Sequence, residues 1–212
     1  MRVRDIMQPR VVTITPKTTL PEAVRLAAER RIRHLPVVDA GDLVGIVSDR
    51  DLKRAMASPA TSLEAHELNY LLNRLTVAEI MTSPVITIGP TFPAEEAARL
   101  MAQERIGALP VTEADRLIGI VTETDVLELF VRVMGAGAPS VRLEVLLGEG
   151  PPALSDLVTT VESAGAPVSS IVILTSPARL REALIRVATI DPEPAIRALE
   201  TRGYAVRTPW RG

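Results

Sequence analysis

The segment RIRHLPVVDAGDLVGIVSDRD (31–51) returns as RIGALPVTEADRLIGIVTETD (105–125), an offset of 105 − 31 = 74 residues. Outward from it, VRDIM (3–7) returns as VAEIM (77–81) at the same 74-residue offset, 77 − 3. No gap is needed between these landmarks, and Met7/Met81, Thr13/Thr87, Pro16/Pro90, Leu35/Leu109, Pro36/Pro110, Gly45/Gly119 and Asp51/Asp125 all fall into register. Self-similarity at a fixed period marks a repeated structural unit.

Each copy predicts strand, helix, strand, strand, helix. Val11, Val12 and Ile14 predict the first strand. Leu20, Ala23, Val24, Ala27 and Ala28 follow at helical spacing, matched by Ala94, Ala97, Ala98, Met101 and Ala102. Thr19 and Glu22 are spaced for a capping box. LPVVD and LVGIVS flank Ala40-Gly41-Asp42, which reads as a hairpin. DRDLKRAM opens the last helix with acidic residues, as the helix dipole favours.

Between the copies, over 54–76, Thr61 and Glu64 again have capping-box spacing. Leu63, Leu68, Leu71, Leu72 and Leu75 supply an apolar stripe, which predicts a connecting helix. Gly135-Ala136-Gly137-Ala138-Pro139 reads as a domain junction. Beyond it the pattern changes. VRLEVLL alternates like a half-buried strand, and Leu154–Ala164 is helical. VSSIVILTS and LREALIRVAT read as strands, Pro194–Arg202 as a helix closed by Gly203, and YAVRT as the last strand. The order βαββαβ is ferredoxin-like.

Composition bounds the function. The 212 residues carry a net charge of −2 and no cysteine, which excludes disulfides, thiolate zinc sites and cysteine nucleophiles. Two Phe, one Trp and two Tyr on an acidic chain argue against nucleic-acid binding. The N-terminus MRVRDIMQPR has no apolar core of a signal peptide, and no apolar run approaches the ~20 residues of a membrane helix. A cytoplasmic protein is therefore expected. P-loop, HExxH and nucleophile-elbow motifs are absent from the sequence, so no catalytic residue and no enzyme activity are expected. Ser48 and His34 fall on neighbouring elements, without a third group or an oxyanion turn. His66 with Glu64 and Glu67 is not spaced for three metal ligands on one helix face, so no metal site is expected.

GIVSDRD (45–51) and GIVTETD (119–125) each place a hydroxyl, Ser48 or Thr122, at a strand end, and an Asp in the first turn of the following helix. A carboxylate is acceptor-only and suits the paired hydroxyls of a ribose. A helix N-terminus favours phosphate. The same Asp can equally serve only to stabilise its helix.

The repeated LPV…GIV(S/T)xxD resembles the CBS domain, and two copies over about 1–130 resemble a CBS pair. The tail resembles an ACT domain through its strand order and through LGEGPPALSDLV. A CBS pair followed by an ACT-like tail is similar to the acetoin-utilisation AcuB family, for which the resemblance implies a regulatory role. The expected fold is α/β (α+β). Two βαββα repeats, at 1–60 and 77–134, flank a connecting helix at 61–76. A linker at 135–140 leads to a ferredoxin-like, ACT-like domain at 141–212.

The resemblance implies that Ser48, Asp51, Thr122 and Asp125 contact an adenosine ligand, and that Val12 and Ile86 line the adenine pocket. It implies phosphate contact at Arg33 and His34, which precede LPV; an exposed Arg and a hairpin-capping His are the alternative. Copy two has Gly107 and Ala108 there, which leaves an equal second phosphate site open. Arg50 and Lys53 add positive charge nearby, or are solvated helix charges. The turn Gly148–Pro152 is an amino-acid site in some ACT domains and elsewhere a plain turn.

No cofactor is expected beyond AMP, ADP, ATP or S-adenosylmethionine as a regulatory ligand, with a regulated protein as partner. A structural or interaction module without nucleotide binding is the competing reading. A homodimer is expected, through exposed apolar helix faces such as Leu20/Ala23/Ala27 and an uncovered sheet edge.

Overall fold

The computed structural model describes residues 1–57, 74–136, 139–147, 154–175 and 181–208. Most of the expected connecting helix, with His66, and the turn Gly148–Pro152 lie outside the described residues. By internal contacts the chain divides into two compact units, Met1–Val126 and Leu127–Gly212.

In the first unit, α1 (Leu20–Arg30), β1 (His34–Asp39), β2 (Asp42–Ser48) and α2 (Asp49–Ala57) are followed by α3 (Ala94–Glu104), β3 (Ala108–Glu113) and β4 (Arg116–Thr122). The helix α4 (Glu123–Val133) completes the second repeat and runs across the division. The β1–β2 and β3–β4 pairs are antiparallel, with matching registers such as Pro36↔Ile46 and Pro110↔Ile120. Ala40 and Gly41 join β1 to β2 with φ of 51° and 100°, the left-handed conformation that two-residue hairpin loops require. The Thr19 backbone N–H donates to Glu22 Oε2 at 2.9 Å, as the capping-box spacing predicts.

The expected first strand is reduced to a single bridge. Ile14 lies parallel to Val37 and Ile88 to Val111, and neither segment forms a strand. Ile14 N–H donates to the Pro36 carbonyl, and Val38 N–H donates to Ile14. The ladder stops on both sides at a proline: Pro36 has no N–H to give the Val12 carbonyl, and Pro16 has none to continue forward, where the chain turns with Thr18 N–H donating to the Thr15 carbonyl at 3.0 Å.

The two repeats exchange their entry segments. Val77 N–H donates to Thr18 and Ala78 N–H to Pro16; 74 residues earlier, Val3 donates to Phe92 and Arg4 to Pro90. Gln8 and Ile120 exchange backbone hydrogen bonds, as Thr82 and Ile46 do. The motif glycines follow from this exchange. A Cβ on Gly119 would stand 2.6 Å from Met7 Sδ, and one on Gly45 would overlap Met81 Sδ. Each methionine thus crosses into the other repeat and covers its hairpin glycine.

The apolar stripes face inward. Leu20, Ala23, Ala94 and Ala97 are at most 1% exposed, so they cannot form the exposed dimer surface expected of them. They are taken up by the core of their own repeat, where Leu20 and Ala23 meet Leu35, Val37, Val47 and Val77. The exposed apolar residues of α4 are instead Leu127, Phe130, Val131 and Val133.

In the second unit, β5 (Val141–Leu147), α5 (Leu154–Ser163), β6 (Val168–Thr175), β7 (Arg181–Val187), α6 (Glu193–Thr201) and β8 (Ala205–Arg207) give the βαββαβ order. The sheet runs β6-β7-β5-β8, with every neighbouring pair antiparallel, which is the ferredoxin-like arrangement. Leu143, Val145 and Leu147 point into a core closed by Leu157, Val161 and Ile196, whereas Arg142 and Glu144 point outward. Gly203 follows α6 at φ 84°, and its N–H donates to Glu200. Among the described residues no helix is long and apolar enough to cross a membrane.

Candidate functional site

The hairpins end on the same device twice. Ser48 backbone N–H and Oγ both donate to Asp51 Oδ2, at 2.9 and 2.6 Å. Thr122 N–H and Oγ1 donate likewise to Asp125 Oδ2, at 2.7 and 2.6 Å. The Asp therefore closes the strand-to-helix corner with one carboxylate oxygen and commits the hydroxyl proton. The other oxygen separates the copies. Asp125 Oδ1 accepts Gln8 Nε2 at 2.9 Å, whereas no group among the described residues donates to Asp51 Oδ1.

Two clefts flank this pair of corners. One, of about 320 Å³, brings Ser48 and Asp51 of the first repeat against Ile86, Arg105 and Gly107 of the second. The other, of about 330 Å³, brings Thr122 against Gln8, Arg10, Val12 and Arg31. Arg33 and His34 line both. The sequence-predicted residues are thus gathered around the two clefts, with the exception of Asp125. It lines neither, is only 7% exposed, and sits behind Gln8 in the protein interior. The motif places it in the first turn of a helix, where the Gln8 amide covers it.

The counterpart of Arg33, Gly107, lies close against His34. A Cβ on Gly107 would approach His34 Nε2 to 3.1 Å and Glu123 Oε2 to 3.3 Å. His34 thus takes the space that a side chain at 107, the counterpart of Arg33, would enter. Burial is the main cause that lowers the His34 pKa; the Arg33 charge adds to it, against the opposing pull of Asp49, Glu123 and Asp51. Near neutral pH His34 is therefore an uncharged hydrogen-bonding group, and attraction of phosphate falls to arginine.

A lowered folded-state pKa means that the unfolded chain binds this proton more readily. The His34 contribution to stability is then full above about pH 6.5 and is lost as pH falls below it. We expect the urea midpoint to drop less between pH 7.5 and 5.5 in His34→Gln than in the unaltered protein.

Sequence reasoning missed Arg31 and Arg105, equivalent positions 74 apart that end α1 and α3 with φ of 53° and 56°. Each lines one cleft. Their recurrence in the repeat was the available signal. Arg50 lines the first cleft, whereas Lys53 pairs with Asp49 at 3.0 Å and holds that carboxyl below its ordinary range. Among the described residues no group of three His, Cys, Asp or Glu converges to hold a metal ion.

Comparison with known proteins gives the same picture. A family model described as "CBS domain" matches residues 3–58 and 77–132. A crystallised CBS domain pair in complex with 5′-methylthioadenosine and S-adenosyl-L-methionine is 32% identical, with a TM-score of 0.53. It covers 61% of this chain and 95% of that one. The structure of a Vibrio cholerae protein described as an acetoin utilization protein (AcuB) is also 32% identical, with a TM-score of 0.54. It covers 64% of this chain and 93% of that one. CBSX2, solved in complex with AMP, is 31% identical, with a TM-score of 0.52, and covers 62% of this chain and 97% of that one. Two matched repeats, interlocked through their entry segments and enclosing paired clefts, make this chain a member of the CBS domain family, with a ferredoxin-like domain after the pair.

Proposed function

We propose that the chain is a regulatory sensor that binds an adenosine-containing ligand between its CBS repeats. The observation that carries this reading is the open Oδ1 of Asp51 on the wall of a cleft, beside Ile86 as an apolar wall and Arg33, Arg50 and Arg105 as cations. An acceptor-only oxygen suits ribose hydroxyls, the apolar wall suits adenine, and the guanidinium groups suit phosphate. Related CBS pairs bind AMP, 5′-methylthioadenosine and S-adenosylmethionine, which supports the same ligand class here. The reading includes Ser48, Thr122, Val12 and His34 as further contacts. No catalytic role is assigned to any of them.

Ligand at a hundred times its dissociation constant adds about 2.7 kcal/mol to folded-state stability. Millimolar AMP, ADP, ATP or S-adenosylmethionine is therefore expected to raise the melting temperature. A melting curve unmoved by all four overturns the reading in favour of an interaction module without nucleotide binding. Arg33→Ala is expected to weaken ATP more than AMP and to leave adenosine nearly unaffected, because it removes the one guanidinium that faces both clefts.

The remaining assignments belong to the same reading: repeats at 1–60 and 77–134, a connecting helix at 61–76, a linker at 135–140, and an ACT-like regulatory domain at 141–212. The protein acts in the cytoplasm on a partner protein. A homodimer is supported by Leu127, Phe130, Val131 and Val133, whose side chains leave 64%, 61%, 45% and 56% of their surface exposed on α4. Light scattering at micromolar concentration is expected to give twice the chain mass, and Phe130→Glu to halve it.

A further inference from the structure

Given adenosine binding in the Ser48 cleft, on which this inference rests, we propose that the two clefts take different chemical classes. The Ser48 cleft takes a ribose-anchored nucleoside, and the Thr122 cleft takes a phosphate chain without ribose contact at Asp125. Two independent observations lead here. The first is Gln8. Its amide occupies the Asp125 oxygen that corresponds to the open oxygen of Asp51. The equivalent position in the other copy is Thr82, which lines the Ser48 cleft and makes no hydrogen bond to Asp51 among the described residues. A ribose entering the Thr122 cleft must first displace a charge-assisted hydrogen bond, which makes that site about ten- to a hundredfold weaker for a nucleoside.

The second observation is the charge on the walls. The Ser48 cleft is lined by Arg33, Arg50 and Arg105 together with Asp49, Asp51 and Glu123, so its charges balance. The Thr122 cleft is lined by Arg10, Arg31 and Arg33 with no carboxylate. Among the described residues none of these three arginines is in a salt bridge, and Arg33 donates only to Thr124 Oγ1, at 3.3 Å. Arginine forks in a wall free of acid recognise phosphate oxygens.

The test uses two probes on the full chain by calorimetry. 5′-Methylthioadenosine has the ribose and no phosphate; inorganic triphosphate has the phosphates and no ribose. We expect one strong site per chain for each, with neither displacing the other. Asp51→Asn should remove the nucleoside site and spare triphosphate. Arg31→Ala should weaken triphosphate at least tenfold and spare the nucleoside. Gln8→Thr, which copies the other repeat, should create a second nucleoside site, and Thr82→Gln should weaken the first; the melting temperature of each variant confirms that it is folded. Two equal nucleoside sites in the unaltered protein, or triphosphate displacing the nucleoside, overturns the division of classes and leaves the sensor reading standing. A folded Gln8→Thr protein with still one nucleoside site also overturns the division. Triphosphate binding that depends on Arg31, with no nucleoside binding at all, overturns the sensor reading instead.

Discussion

Asp51→Ala is expected to weaken an adenosine ligand about ten- to a hundredfold, the loss of one hydrogen-bonded charged acceptor. The same change removes the cap on α2, because Asp51 Oδ2 accepts from both Ser48 N–H and Ser48 Oγ. That loss costs about 0.5–2 kcal/mol of stability. Asp125→Ala is expected to behave in the opposite way. It loses the equivalent cap and also leaves the Gln8 amide without its partner in a part-buried place, for a further ~1–3 kcal/mol. Nucleoside affinity at the Ser48 cleft should stay unchanged, because Asp125 faces neither cleft. Calorimetry with 5′-methylthioadenosine and urea unfolding of the two variants check both halves. Unchanged affinity in Asp51→Ala would show that this carboxylate does not meet the ligand.

The largest stability losses are expected at Leu35→Ala and Leu109→Ala. These residues are 1% and 0% exposed and occupy equivalent places in the two repeats, each in the LPV stretch of its hairpin. Truncating a leucine in a packed interior costs about 2–5 kcal/mol, a large share of the 5–15 kcal/mol typical of whole proteins. The repeat symmetry adds a sharper expectation: the two losses should be similar, since the side chains hold equivalent, fully buried places in the two hairpins. For Leu35 the surrounding core includes Val77. Urea midpoints at constant slope would measure this. A loss below about 1 kcal/mol at either position would mean that its core collapses to fill the space.

Much of this architecture was legible in the sequence, because a 74-residue repeat and period-2 or helical spacing are local properties of the chain. The hairpins, α1 with its Thr19–Glu22 cap, and the βαββαβ tail follow from such patterns. The first strand did not, since whether Val12 and Ile14 pair depends on a parallel register in which Pro36, with no N–H, faces the Val12 carbonyl and Pro16 stops the ladder on the other side. Nor did the facing of Leu20 and Ala23: helical spacing says that one side is apolar but not what covers it.

The residues of the site were legible as types, and their division between the clefts was not. The Ser/Thr–x–x–Asp corner can be read from either copy alone, because its hydrogen bonds span three residues. Gln8 and Asp125 stand 117 positions apart, and Gly107 faces His34 across the two repeats. Those pairings exist only after the entry segments have crossed over. The sequence by itself determined two equivalent candidate half-sites; tertiary packing made them unequal, because one side chain on the crossing entry segments, Gln8, reaches the carboxylate and its counterpart, Thr82, does not.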